Sequence, residues 1–493
     1  MSGNPSILSR RAILYFWACT FIGVTGLATF LASCGGSVSL KSVNGMGAIT
    51  VSITDPPSCA FPNGSFQHVF VTIRSVQAHT SATAGDNTPG WQELAPQLNS
   101  QPVQIDLFSA GSNACLLAML GSNSSLPAGT YQQIRLLLVP SSGSSGPLPA
   151  TSACLGQGFN CVVLHDGTIH ELELSSQANT GLKIPPGQIV GGPITVSPGQ
   201  DVDLNIDFNA CASIIVQGNG VYRLKPTLTA EQVGTTNTGI SGQVLNAATH
   251  APIAGGTTLV ALEQQDASGA DIIFEQTAAD STGQFNFCPL PTAATFDVVA
   301  VAIDGAGKAY NATIAVGVPG GTNLGAINLA AETGTPAGPA TFQGLLTATT
   351  GTAAASIDAS VAALQPISLG GGLIRSVVIP AEGASTTGIS LDSATACPTG
   401  APPHTNCAPY TLIEPASNPS VGIFSAGKIS FAAPAAGAVP YSIRANAFAP
   451  MMGSTTICTQ PSIFVTLDSI GNPLQALPNS TTVPKEIDFT GCS

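Results

Sequence analysis

From Gly45 onward the chain is cut into short β-like runs by turn residues, and few stretches keep a helical period long enough to build a helix. Val51–Thr54, Val69–Ile73, Val103–Phe108, Tyr131–Val139, Cys161–Leu164 and Asp201–Phe208 read as strands from β-branched content or alternation. The last is the sharpest. Asp201, Asp203, Asn205 and Asp207 share one face, while Val202, Leu204, Ile206 and Phe208 share the other. That pattern predicts a half-buried strand with a wet acidic face, in an all-β fold.

Composition agrees with many strands and many turns. There are 54 Gly and 37 Pro, only 8% of residues are charged, and the 44% hydrophobic content is mostly aliphatic. Such a chain can bury large cores.

The N-terminus has a different character. Arg10 and Arg11 precede an apolar run, Ala12–Leu31, without a charged residue, as in an export signal. The run ends in Leu31-Ala32-Ser33-Cys34, which resembles the lipobox of bacterial lipoproteins. That resemblance implies cleavage between Ser33 and Cys34, lipidation of Cys34, and a tether over residues 34–44 that holds the protein to a membrane. Gly35 rather than Asp after the Cys resembles lipoproteins sorted to the outer membrane, so the expected location is the bacterial cell envelope. An uncleaved transmembrane helix is the competing reading of this run. Ser9-Arg10-Arg11 also looks like part of a twin-arginine signal, although Ile13 stands where that motif prefers Phe, so the export route stays open.

Loss of residues 1–33 removes two basic residues and no acid, which leaves 11 basic against 26 acidic residues, a balance of −15. Nucleic acid and electrostatic adhesion to anionic lipid are poor partners for such a body. Ten cysteines remain besides Cys19 and Cys34, and an even number in an exported chain favours disulfides. Proximity selects Cys154–Cys161, Cys397–Cys407 and Cys458–Cys492, and leaves Cys59, Cys115, Cys211 and Cys288 unassigned. No Cys/His group has zinc-finger spacing, so no metal or other cofactor is expected.

Two segments resemble known families. Ser52-Ile53-Thr54-Asp55-Pro56-Pro57, then Leu126-Pro127-Ala128-Gly129-Thr130-Tyr131, Gly181-Leu182-Lys183-Ile184 and Tyr222-Arg223-Leu224-Lys225-Pro226 make residues 45–233 similar to the bacterial domain of unknown function 4382, found in envelope lipoproteins. This resemblance brings no catalytic residue. After the linker Gly234–Thr238, Gly239-Ile240-Ser241-Gly242-Gln243-Val244, Ala251-Pro252-Ile253-Ala254-Gly255 and Asp280-Ser281-Thr282-Gly283-Gln284-Phe285-Asn286-Phe287 make residues 239–331 resemble a carboxypeptidase regulatory-like domain. That family implies a small transthyretin-like β-sandwich, a fold shared with some carbohydrate-binding modules. Here Thr282-Gly283 is expected to turn a hairpin, with Phe285 and Phe287 on one strand face. Ala294-Thr295-Phe296 departs from the usual Gly-x-Tyr. A second linker, Glu332–Pro339, opens residues 340–493, where Ile374–Ile379, Lys428–Phe431, Tyr441–Ala445 and Ile463–Leu467 again read as strands. Tandem β-sandwich domains behind a lipoprotein signal are the expected architecture.

Catalytic signatures are largely missing from the sequence. There is no G-x-S-x-G, no H-E-x-x-H and no Walker loop, since Gly305-Ala306-Gly307-Lys308 lacks the flanking residues. The histidines at 68, 79, 165, 170, 250 and 404 are scattered. Asp201, Asp203 and Asp207 could join a calcium site if the Asp55 loop approached them, but a solvated strand face is the simpler reading, as it is for Glu171 and Glu173. Trp91, the one Trp left after signal removal, follows a turn and reads as a strand-entry anchor rather than a sugar platform. The expected function is therefore non-enzymatic binding or scaffolding at the envelope, with a protein partner, and a glycan-binding or glycan-processing module as the alternative.

Overall fold

The computed structural model describes residues 45–492 except 55–65, 109–117, 141–145, 175–180, 185, 191, 209, 217–220, 225–227, 234–238, 266–268, 270, 289, 291–293, 333–337, 351–356, 381–388, 392 and 449–457. The signal run, Ser33, Cys34 and the tether lie outside the described residues, as do Asp55, Cys59 and Cys115 and the side chain of Cys211. Residues 45–493 form one compact unit. It is all-β, and no helix among the described residues is long and apolar enough to cross a membrane.

The first part is a two-sheet sandwich. One sheet runs Ile189–Val190, Leu228–Val233, Asp201–Phe208, Met46–Thr54, Ala118–Pro127, and the other is built around His68–His79. Alternation fixes which side of Met46–Thr54 goes inward: Ile49, Val51 and Ile53 are buried, while Thr50 and Ser52 are half-buried on the reverse face. Their partners in parallel register are Asp201–Phe208, whose Val202, Leu204, Ile206 and Phe208 enter the same core. Residues of both sheets interdigitate in that single core.

The second part packs a three-stranded sheet, with Ile240–Asn246 at its centre, against a larger sheet formed by Asp271–Ala278, Thr257–Gln265, Thr295–Ile303 and Ala309–Pro319. Phe285 and Phe287 both enter the core between them, with ring centroids 5.8 Å apart. Gly242 lies opposite Phe285, and a Cβ there would meet the Phe285 ring at 2.8 Å, so the aromatic residue requires glycine across the ladder.

The turn through Thr282-Gly283 does not make the expected hairpin. It leads from Asp271–Ala278 in one sheet to Gln284–Phe287 in the other. The Asp280 carboxylate shapes it by accepting the backbone N–H groups of Thr282 and Gln284, at 2.8 and 3.0 Å. The same device recurs at Asp304 and Asp468, each followed three residues on by a glycine with positive φ. The Gly305-to-Lys308 segment, which lacks the flanking residues of a phosphate loop, belongs to one of these turns.

The C-terminal region contributes two sheets, one centred on Ala340–Thr350 and one on Ile357–Ser368. Their core also takes in Leu259, Val299, Val301, Ala312, Ile314 and Val316 from the outer face of the second part. In addition, Ser420–Ile423 pairs in parallel with Ala309–Pro319 and so extends the larger sheet of the second part. The two parts thus share both a core and a hydrogen-bonded ladder. Ile374–Ile379 forms as expected, and Ser442–Phe448 and Ser462–Val465 lie close to the predicted runs. Lys428–Phe431 is not a strand: it carries isolated bridges to Ser425 and Gly422, because a tight turn at Ala426-Gly427, both with positive φ, reverses the chain first.

Candidate functional site

Three groups of buried carboxyls stand out, because acidic side chains are almost never fully buried without a partner. The first lies on the reverse face of the Met46–Thr54 sheet. In-register pairing sets Ser52 beside Asn205, Thr54 beside Asp207, and Asn205 beside Glu231. The Asn205 amide donates to Thr54 Oγ1 and to Glu231 Oε1, each at 3.0 Å, and Ser52 Oγ donates to Asn205 Oδ1 at 3.3 Å. Among the described residues Glu231 Oε2 has no hydrogen-bond partner. Burial pushes the Asp207 carboxyl up to about 7, against a weak hydrogen bond from Thr54. Burial likewise pushes Glu231 up to about 8, overcoming the Asn205 hydrogen bond and assisted by the nearby Asp207 charge.

This corrects the wet acidic face. Asp201 is exposed and Asp203 half-buried, but Asn205 and Asp207 are buried, so the row runs from solvent into the interior. Glu171 and Glu173 do lie on an exposed face. Among the described residues no group of three or more His, Cys, Asp or Glu side chains is arranged to hold a metal ion.

The second group sits where the C-terminal region meets the second part. Glu263, Asp271 and Asp297 come from three adjacent strands and are all buried. Facing them, Arg375 pairs with Asp297, the Val378 N–H donates to Glu263 Oε2 at 3.0 Å, and Arg444 Nη2 donates to the Asp271 carbonyl at 2.9 Å. Burial, then the Asp271 charge, holds the Glu263 carboxyl well above the carboxylate range. Burial, then the Asp297 charge, pushes Asp271 up to about 7.

The third group is Glu332, Glu414 and Tyr441. Glu332 Oε1 accepts the Ala416 N–H and, at 3.2 Å, the Ser417 hydroxyl, and burial pushes its carboxyl up to about 7. Glu414 is fully buried, neither carboxyl oxygen has a hydrogen-bond partner among the described residues, and burial alone holds it well above the usual range. The Tyr441 hydroxyl donates to the Pro415 carbonyl at 2.9 Å. The acids of the second and third groups carry no motif that marks them in the sequence. The available signal was an acid inside an apolar strand, as in Leu259-Val260-Ala261-Leu262-Glu263 or Phe296-Asp297-Val298-Val299.

Disulfides join Cys154 to Cys161, Cys397 to Cys407 and Cys458 to Cys492, the pairs that proximity selects. Cys288 is also disulfide-bonded. The histidines are dispersed. His68 Nδ1 lies 2.7 Å from Asp106 Oδ2, His79 contacts the Pro89 carbonyl and the Ser81 N–H, and His250 and His404 occupy positive-φ positions. Trp91 donates its indole N–H to the Gly85 carbonyl, and the Arg135 guanidinium covers its ring at 4.1 Å. A ring used in this way anchors its loop and has one face closed to a sugar.

No curated protein matches this chain. Among solved structures, it is similar to a double mutant of the shaft pilin SpaA from Lactobacillus rhamnosus GG, at 11% identity over 58% of this chain and 98% of that one, with a TM-score of 0.18. It is also similar to a streptococcal ancillary pilin, at 9% identity over 89% and 99% of the two chains, with a TM-score of 0.16. For GBS52, the minor pilin of Streptococcus agalactiae, identity is 9%, coverage 52% and 96%, and the TM-score 0.18. Scores of this size do not define a shared arrangement. Residues 46–226, the first sandwich almost end to end, match the model of the family described as Domain of unknown function (DUF4382).

Proposed function

We propose that this protein is a lipid-anchored component of the bacterial cell envelope, held at the outer membrane through Cys34, and that it works by binding or scaffolding rather than catalysis. The observation that carries the anchor is Leu31-Ala32-Ser33-Cys34 at the end of an uncharged apolar run behind Arg10-Arg11. An oxidising compartment is supported by three disulfides among the described residues and by the disulfide-bonded Cys288. The resemblance of residues 239–331 to carboxypeptidase regulatory-like domains adds a module of a kind that positions or binds. A binding role is favoured by the placement of the unusual acids, which are enclosed where a substrate would have to displace packed strands. A protein partner in the envelope fits better than a glycan, since Trp91 is already engaged.

The test is non-reduced intact-mass and peptide analysis of protein from its native membrane, for the wild type and Cys34→Ala. The expected product begins at an acylated Cys34 and is absent from the variant. Recovery of an unprocessed N-terminus with a free Cys34 thiol would overturn the anchor.

A further inference from the structure

The C-terminal region is fastened to the second part by an apolar core with a buried acidic group at each end. Glu263 and Asp297 lie at one end of their paired strands, beyond Leu259, Val299 and Val301, which belong to the shared core. Glu332 and Glu414 lie at the other side of the same contact, where Glu332 of the connecting segment grips Ala416 and Ser417.

Charge balance at both places is unusual. In the first group, three described carboxyls, Glu263, Asp271 and Asp297, face two guanidiniums, Arg375 and Arg444, so neutrality requires one carboxyl to keep its proton. Glu275, on the Asp271 strand, is also buried and adds no positive charge. In the second group, Glu332 and Glu414 face Tyr441, Ser417 bonds Glu332 through its hydroxyl and Gln365 through its carbonyl, and among the described residues no cation acts on either carboxyl. Glu414 has two unpartnered oxygens in a fully buried site, which an ionised carboxylate would not tolerate. Two sites that both need protonated acids, at opposite ends of one contact, are independent features of the geometry. They also share a consequence: deprotonation puts uncompensated negative charge into a dry interface.

We propose that the contact between the C-terminal region and the second part is a proton-dependent clamp, closed while Glu263 and Glu414 hold their protons and loosened when they release them. The moving elements are the strands that carry the opposing groups, Ile374–Ile379 and Ser442–Phe448, together with Thr405–Glu414. Rising pH therefore favours opening of the C-terminal region, whereas the first sandwich has a separate core that these two carboxyls do not touch.

Hydrogen exchange of the full chain, corrected for the intrinsic pH dependence of exchange, tests this on the wild type and the Glu263→Gln/Glu414→Gln variant. Between about pH 5 and about pH 8.5, protection of those three strands should fall at least about tenfold in the wild type and less than about threefold in the variant. The loss of protection in Met46–Thr54 should be the same in both proteins. If the double variant does not fold, Glu414→Gln alone should remove a measurable part of the pH dependence. Wild-type protection independent of pH in these strands, or an equal loss in wild type and variant, would overturn the clamp.

Discussion

Of the three disulfides whose two ends are both described, the one that closes the longest loop should matter most, and the structure gives the expected size. Cys458 and Cys492 are 34 residues apart in sequence, Cys397 and Cys407 are 10 apart, and Cys154 and Cys161 are 7 apart. If each bond acts by restricting the unfolded chain, the entropy of loop closure assigns them about 3.8, about 2.7 and about 2.3 kcal/mol. Cys458 and Cys492 are both buried in the core shared by the second and C-terminal parts, and Cys492 ends the Ile487–Cys492 strand that pairs with Ala340–Thr350. Their replacement by alanine should therefore destabilise that whole cooperative block rather than fray one end. Urea unfolding followed by far-ultraviolet circular dichroism measures the block. Fluorescence of Trp91, the one tryptophan beyond the apolar N-terminal run, reports the first sandwich separately. Cys458→Ala/Cys492→Ala should lower the circular-dichroism transition by about 3–4 kcal/mol and leave the Trp91 transition in place. Cys154→Ala/Cys161→Ala should do the reverse, by about 2 kcal/mol. The reasoning fails if the 458/492 pair costs no more than the 154/161 pair, or if both variants shift both probes equally.

Two further predictions concern the first sandwich. Asn205→Ala removes donors to Thr54 and Glu231 and strands a second Glu231 oxygen, so unfolding of this sandwich, read by Trp91, should cost about 2–3 kcal/mol less. Asp207 and Glu231 have folded-state values of about 7 and about 8, above those of the unfolded chain, so their stabilising effect is complete below about pH 4 and is lost as pH rises through 7 to 8. Asp207→Asn/Glu231→Gln should therefore flatten the decline in stability of the first sandwich between about pH 5 and about pH 8, and an unchanged slope in chemical denaturation would refute the assignment.

Strand positions were legible where alternation was clean, and what covered each face was not. Asp201–Phe208 has the limits read from its sequence, because eight alternating residues fit no other periodicity. Alternation states only which residues share a face. It carries no information that the far end of the acidic face is enclosed, so it places Asn205 and Asp207 in water, whereas both are buried. Glu263 and Asp297 are hidden in the sequence for a related reason: a carboxylate in an apolar strand reads as an outward-facing residue until the layer beyond the sheet is known. Short-range disulfides were accessible because the loops are short, whereas the crossing of the Thr282-Gly283 turn between sheets depends on a partner strand about forty residues away in sequence, Ile240–Asn246.

The pairing of Ser420–Ile423 with Ala309–Pro319 also sets an order of assembly. Ribosomes deliver the N-terminal end first, so the second part emerges with one sheet edge open and the Leu259, Val299, Val301, Ile314 face uncovered until a further hundred or so residues have followed. Long-range ladders of this kind close slowly, and an open edge beside an apolar face is a template for association with other chains. A chain stopped near residue 339 should therefore collect in aggregates while residues 45–233, which close their own core, remain dispersed. Any cell that makes this protein must shield one half-finished sheet for longer than it shields the rest.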